Sequence, residues 1–179
     1  SRQYGNAGTV RAKETVIKRS RNLILNTLVN DLFPFWYGTP WAFYGTSEIP
    51  GEDSIACGYF VSTLLKHAGF RVQRYRLAQQ SAENIVKSLA GEKHISRFHN
   101  VSLADFVDAV RQSGSGLYVV GLDCHVGFIA HTGKEILFIH STYVGPCCVL
   151  KERAIESEVL AWSGYRVLGK ISDDTAFIQ

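Results

Sequence analysis

Apolar positions recur at helical spacing through the first third of the chain. Ile17, Leu25, Leu28, Val29 and Leu32 predict one long amphipathic helix from about Val10 to Phe33, ending before Pro34. Phe60, Val61, Leu64, Leu65 and Ala68 mark one face of a second helix. Gly69 closes it, and Lys66 and His67 stand in its last turn, where the helix dipole favours cations. Arg71 to Leu77 alternates and reads as a short edge strand. Ser81 caps a helix from Ala82 to about Ala90, and Ser102-Leu103-Ala104-Asp105 resembles a capping box that opens a helix to about Gln112. Beyond Gly114 the period changes. Leu117–Leu122, His125–His131, Glu135–His140, Cys147–Leu150 and Tyr165–Ile171 are short β-rich runs, with a helix at Ala154–Trp162 between the last two. Helices first and strands second predict an α+β domain with an antiparallel sheet.

Between the first two helices, seven of the thirteen residues from Phe33 to Gly45 are aromatic, and glycine and proline interrupt them. That stretch reads as a loop lining a core edge or a ligand cleft. Composition narrows the classes. A net charge of +3 is too small to argue for nucleic acid. Arg2, Arg11, Lys13, Lys18, Arg19 and Arg21 crowd the start, but spread along a helix they read as a solvated face. Ser1 to Thr9 is small and polar and is expected to fray. No run is long and apolar enough to span a bilayer. Four cysteines in 179 residues, with no C-x-x-C pair, make neither a disulfide framework nor a zinc ribbon. Cys124 is assigned to the core side of its strand, and Cys147 and Cys148 to strand positions without a role.

Cys57 changes the picture. It follows the polar loop Ile49–Ala56 and begins the second helix, where unpaired backbone N–H groups and the helix dipole favour a thiolate. Its thiol pKa is therefore expected below the ordinary value. A hairpin turning at Thr132-Gly133 sets His131 opposite Lys134, Ile129 opposite Ile136 and His125 opposite His140, so two imidazoles share one face. A thiol nucleophile needs a nearby base, and the base needs a partner that fixes its tautomer. Cys57 is then the nucleophile, His125 the general base and acid, and His140 the orienting group. The helix carrying Cys57 is expected to pack on the face of the histidines, with His125 against the sulfur. Asp123 is a candidate for binding a substrate amino group, with a solvated strand-end carboxylate as the plainer alternative.

Three segments resemble the NlpC-type cysteine peptidases, papain-like enzymes that cut peptide bonds in bacterial cell-wall peptides. Pro40-Trp41-Ala42-Phe43-Tyr44-Gly45 looks like the family's aromatic element ahead of the nucleophile. Ala56-Cys57-Gly58-Tyr59-Phe60-Val61 looks like its Asp-Cys-Ser-Gly-Phe-Val helix start. His125-Val126-Gly127-Phe128-Ile129 and Phe138-Ile139-His140-Ser141 look like its two histidine strands. The resemblance implies a papain-like core at residues 36–171 extended by an N-terminal helix at 1–35, in a single catalytic domain spanning 1–179. It also implies amide hydrolysis through a thioester without a cofactor or metal, and a bacterial site outside the cytoplasm, periplasmic or secreted. Trp41 matches the family's oxyanion-assisting tyrosine and brings an indole N–H in its place; Tyr44 of the same element counts with the substrate-binding residues. Ala56 and Gly58 depart from the family's Asp and Ser, so its stem-peptide specificity does not carry over. A peptide or peptidoglycan fragment is the implied partner. Two alternatives stand beside this reading: a zinc site built from Cys57, His125 and His140, and a catalytically silent module that keeps the fold and binds a ligand on the aromatic loop.

Overall fold

The computed structural model describes residues 8–173; the frayed start expected at Ser1 to Thr9 lies almost entirely outside the described residues. The first helix, α1 (Val10–Asn26), begins at an N-cap threonine, Thr9, whose hydroxyl accepts from the Ala12 N–H. It does not stop before Pro34. It widens into a π-helical stretch, Thr27–Leu32, and continues as α2 (Phe33–Trp36). A proline inside a helix lacks an N–H, and its ring collides with the carbonyl four residues back. The wide turn relieves both conflicts: the Phe33 N–H reaches back five residues to the Leu28 carbonyl, and Pro34 falls in the first turn of α2. The payload of the detour is Phe33 and Trp36, both fully buried.

The second long helix, α3 (Cys57–His67), starts at the nucleophile candidate itself. The expected strand at Arg71–Leu77 is instead a short helix, α4 (Arg74–Ala78). Its alternation was misleading because Arg74 points inward. The guanidinium donates to Thr63 Oγ1 at 2.7 Å and to the carbonyls of Thr46 and Ser47 at 2.6 and 2.9 Å. These three acceptors, with the Glu48 carboxylate 3.4 Å from Nη1, compensate most of the buried charge, and the guanidinium ties the loop ahead of Cys57 to α3 and α4. Helices α5 (Ala82–Leu89) and α6 (Leu103–Gln112) begin at the serine caps read from the sequence, Ser81 and Ser102. A last short helix, α7 (Glu158–Trp162), is capped by Ser157.

Six strands, β1 (Ile95–His99), β2 (Gly116–Leu122), β3 (Val126–His131), β4 (Ile136–Ser141), β5 (Val149–Arg153) and β6 (Tyr165–Lys170), form one sheet. Its order is β1-β6-β2-β3-β4-β5, with every neighbour antiparallel. The fold is α+β. Alternation along the strands gives two apolar layers. Val119, Phe128 and Ile139 pack with α1, α3 and α5 on one face, while Val120, Ile129 and Phe138 pack with α6 and α7 on the other. The central strands β2, β3, β4 and β6 are buried on both faces because helices cover both.

Two hairpins differ from the expected geometry, and both differences reach the site. The β3–β4 turn is centred on Gly133-Lys134, one residue later than Thr132-Gly133. Gly133 has φ +89° and Lys134 does not have a positive φ, the pattern of a turn with glycine at its first central position. Ladder partners therefore slip by two residues: His131 faces Ile136, and Ile129 faces Phe138. A slip of two keeps every side chain on its face. The β2–β3 turn is Asp123-Cys124, closed by the Leu122 N–H to the His125 carbonyl at 2.8 Å. Cys124 is thus a turn residue, exposed, and not on the core side of a strand.

Candidate active site

At the end of the sheet where β3 begins and β4 finishes, a cleft of about 500 Å³ opens. Cys57, His125, Trp41 and Tyr44 all line it, as do Tyr59, Cys124 and Tyr143. The aromatic loop reaches it because its backbone is anchored at both ends. Trp41 N–H donates to the Cys147 carbonyl at 2.8 Å and Ala56 N–H to the Gly45 carbonyl at 2.9 Å, while Ser141 Oγ holds the Ile55 carbonyl at 2.6 Å. The loop is both things the sequence offered. Phe33 and Trp36 belong to the core, and Phe43 and Tyr44 stand 71% and 87% exposed at the cleft.

The histidines meet, though not as directly opposed partners. In the observed register they are diagonal, and His125 Nε2 lies 2.9 Å from His140 Nδ1 with the rings nearly perpendicular. Gly127 makes this possible. A Cβ there would stand 2.8 Å from the His140 Cβ and 2.7 Å from a Phe138 ring carbon. Phe138 stacks on the His140 ring at a centroid distance of 3.9 Å. Gly127→Ala is expected to cost about 1–3 kcal/mol, as overpacking of a filled core does, and to part the two rings. Urea unfolding measures the first effect, and the histidine ring NMR signals report the second; unchanged ring signals would show that the glycine is not what permits the contact.

A third member was absent from the sequence reading. His140 Nε2 lies 3.1 Å from Glu152 Oε1 on β5. The sequence ended β5 at Leu150, two residues short of it. The strand runs on to Arg153, and pairing with Phe138 puts Glu152 on the same face as the histidines. Hydrogen bonds from His140 and Ser157 hold the Glu152 carboxyl below the usual range against the opposing effect of its burial. It is ionised at neutral pH and can only accept. That decides both tautomers. His140 carries its proton on Nε2 and accepts at Nδ1, so His125 carries its proton on Nε2. His125 Nδ1 is left with a bare lone pair, and it is buried without a hydrogen-bond partner.

Cys57 stands apart from that chain in two respects. Its helix packs on the other face of the sheet, with Phe60, Val61 and Leu64 against Phe128 and Ile139, whereas the histidines share the face of Phe138. Cys57 and His125 therefore line the cleft from different faces of the sheet end instead of across one face. The sulfur is met by backbone N–H groups of Cys57, Gly58 and Val126, the last one freed because the β3–β4 ladder begins only at Phe128. No hydrogen bond joins the sulfur to His125. Burial outweighs the three N–H groups and pushes the Cys57 thiol up, against the lowered value expected from the helix start. Burial first, and the neighbouring His140 second, push His125 down to about 3. Burial also lowers His140, with Glu152 opposing. At rest the site is a neutral thiol beside a neutral imidazole.

Asp123 does not line the cleft. Its carboxylate accepts from the Gly164 N–H at 2.7 Å and from Ser163 Oγ at 3.2 Å, fastening the start of β6. Gly58 admits no side chain: a Cβ there would come 2.4 Å from the Ala78 carbonyl oxygen. Tyr143, which the sequence did not single out, sets its ring 5.4 Å from His125 and 6.0 Å from Trp41, with its hydroxyl 3.7 Å from the Cys124 sulfur. Burial raises its phenol to about 12. The zinc arrangement is not formed. Both nitrogens of His140 are committed to His125 and Glu152, and among the described residues no three His, Cys, Asp or Glu side chains are grouped as a metal requires. No helix among the described residues is long and apolar enough to cross a membrane. No family model matches the chain, and neither the curated proteins nor the solved structures contain a match to it.

Proposed function

We propose that the protein is a cysteine hydrolase that cleaves an amide, such as a peptide bond, through a thioester on Cys57. The observation that carries this reading is the Glu152–His140–His125 chain, which ends in an unprotonated, unpartnered nitrogen beside the cleft of a helix-start cysteine. A chain of that form aims a base and steadies the charge the base acquires. Substrate entry brings the thiol and His125 Nδ1 within reach, as catalytic contacts often tighten only in the complex. Sγ forms a bond to the carbonyl carbon while its proton passes to His125 Nδ1. The imidazolium shares its Nε2 proton with His140, which Glu152 holds. The oxyanion is received by the Trp41 indole N–H and the Cys57 backbone N–H. His125 returns the proton to the leaving nitrogen as the C–N bond breaks. Water, losing a proton to the same nitrogen, then adds to the thioester carbonyl, and the C–S bond breaks as His125 returns that proton to Sγ, which releases the acid and restores the thiol. Resemblance to the NlpC-type peptidases supports a papain-like core and peptide-derived substrates; Ala56 in place of the family's aspartate argues against its usual stem peptides.

An acyl-enzyme tests the reading. Treatment with p-nitrophenyl acetate is expected to add one acetyl group to the Cys57 peptide within the first turnover and to leave Cys124, Cys147 and Cys148 unmodified. Iodoacetamide, which needs no proton shuttle, is expected to show the reverse order in the resting protein, with exposed Cys124 and Cys147 alkylated before Cys57. Acetylation spread evenly over the four thiols would leave a ligand-binding module as the better description.

A further inference from the structure

Among the described residues, the walls of the Cys57 cleft carry no Asp, Glu, Lys or Arg side chain. Trp41, Phe43, Tyr44, Tyr59 and Tyr143 supply five aromatic rings around the nucleophile. Phe43 and Tyr44 meet edge to face at 5.0 Å and stand exposed as a lip. On the side formed by α3 and α4, Tyr59 meets Tyr75 edge to face at 5.7 Å. Arg74 stands behind that side, with its Nη1 3.4 Å from the Glu48 carboxylate. Arg74 lies 5.0 Å from the centroids of both Tyr59 and Tyr75, is 5% exposed, and directs its hydrogen bonds to Thr63, Thr46 and Ser47. The amides on that wall are neutral and engaged: Gln79 donates to the Tyr59 hydroxyl at 3.2 Å and Gln80 accepts from Ser88 at 3.2 Å.

Resting on the cysteine-hydrolase reading, we infer that the acyl group delivered to Cys57 is neutral and apolar next to the scissile carbonyl, an aromatic or aliphatic acyl residue. A carboxylate or ammonium entering this cleft gives up water and meets no counter-ion. An apolar group removes its own surface and that of exposed rings from water together, and ring-on-ring contacts add to the gain. Ala56, immediately before the nucleophile, leaves no charge there to receive a substrate amine. The free amino group or side-chain carboxylate of a charged peptide is thereby disfavoured, whatever leaving group follows.

A series of p-nitrophenyl esters reads this directly. Each acylates Cys57 with release of p-nitrophenolate, and each rate is taken after subtracting that of Cys57→Ala. N-acetyl-phenylalanyl and hexanoyl esters are expected to exceed acetyl, N-acetyl-aspartyl and N-acetyl-lysyl esters in kcat/KM by about tenfold or more, the range one apolar pocket supplies. The two favoured arms separate a peptide source from a fatty-acyl source. Phe43→Ala is expected to narrow the hexanoyl-to-acetyl ratio. Cys57-dependent turnover with no preference, or with the aspartyl or lysyl ester preferred, overturns the assignment and leaves the hydrolase reading standing. Absence of Cys57-dependent turnover on every ester overturns the hydrolase reading instead. The ligand class is then decided by tryptophan-fluorescence titration of Cys57→Ala. Tighter binding of N-acetyl-phenylalaninamide than of N-acetyl-aspartamide or N-acetyl-lysinamide upholds the apolar assignment, and equal or reversed affinities overturn it.

Discussion

Glu152→Gln is expected to lower kcat by about 10²–10⁴-fold, the scale of losing the acidic orienter of a catalytic histidine, with the fold left in place. The substitution is nearly isosteric, and the Glu152 side chain is 29% exposed, so little packing is at stake. What changes is the proton inventory. A carboxylate only accepts, which forces His140 to donate from Nε2 and, one ring further, leaves His125 Nδ1 bare. A glutamine amide also donates. With its NH₂ turned to His140, the whole chain reverses: His140 donates from Nδ1, His125 accepts at Nε2, and its proton moves to Nδ1, where the base should be. The imidazolium formed during turnover also loses the negative charge behind it. Steady-state kinetics measures the loss, and ¹⁵N shifts of the two rings show which tautomer is present. Unchanged kcat would mean that Glu152 is only a structural partner of His140. His140→Ala removes the same relay, so Glu152→Gln added to it is expected to cost little more, as residues acting as a unit do.

Much of this arrangement was legible in the residues and part was not, for reasons that can be named. The face shared by His125 and His140 was readable because side chains alternate with a period of two, and a two-residue slip leaves faces unchanged. The ladder partner was not readable, because Thr-Gly and Gly-Lys both make two-residue turns and only Gly133 φ distinguishes them. Ser81 and Ser102 announced their helices through local hydrogen bonds. Strand β1 was missed since it is a solvated edge whose Ser96, Arg97 and His99 give no apolar signal. Arg74 was misread as a strand position because its acceptors, Thr46, Ser47 and Thr63, come from distant sequence. Glu152 was missed for the same reason, being fixed by pairing with β4. The Cys57 thiol was misjudged because a helix start is visible in sequence, while the burial that opposes it is a property of the assembled sheet end.

Acid is expected to destabilise the protein through the same histidines. His125 moves from an ordinary value of 6.5 down to about 3 in the fold, chiefly because its ring is buried and secondarily because of His140. A depressed folded pKa means that the unfolded chain binds the proton first. The stabilisation is fully present above pH 6.5 and is lost progressively as pH falls toward 3. At 1.36 kcal/mol per unit the shift corresponds to about 5 kcal/mol, a large share of the roughly 5–15 kcal/mol that holds a domain folded. His140, also lowered, and Glu152, held ionised by its hydrogen bonds, both push in the same direction. Cys57 works at the alkaline end: its raised pKa gives stability that is present below the unfolded thiol's value and lost as pH rises through the folded one. Urea midpoints are therefore expected to hold near neutrality and to fall steeply from about pH 6 to 4. NMR titration assigns the cause. The His125 ring is expected to stay neutral at pH 5 in the folded protein, and kcat/KM is expected to show no ionisation near 6.5 on its acid side, the limb ending with loss of fold. A His125 ring that titrates near 6.5 while the protein remains folded would remove both the acid instability and the resting neutral pair.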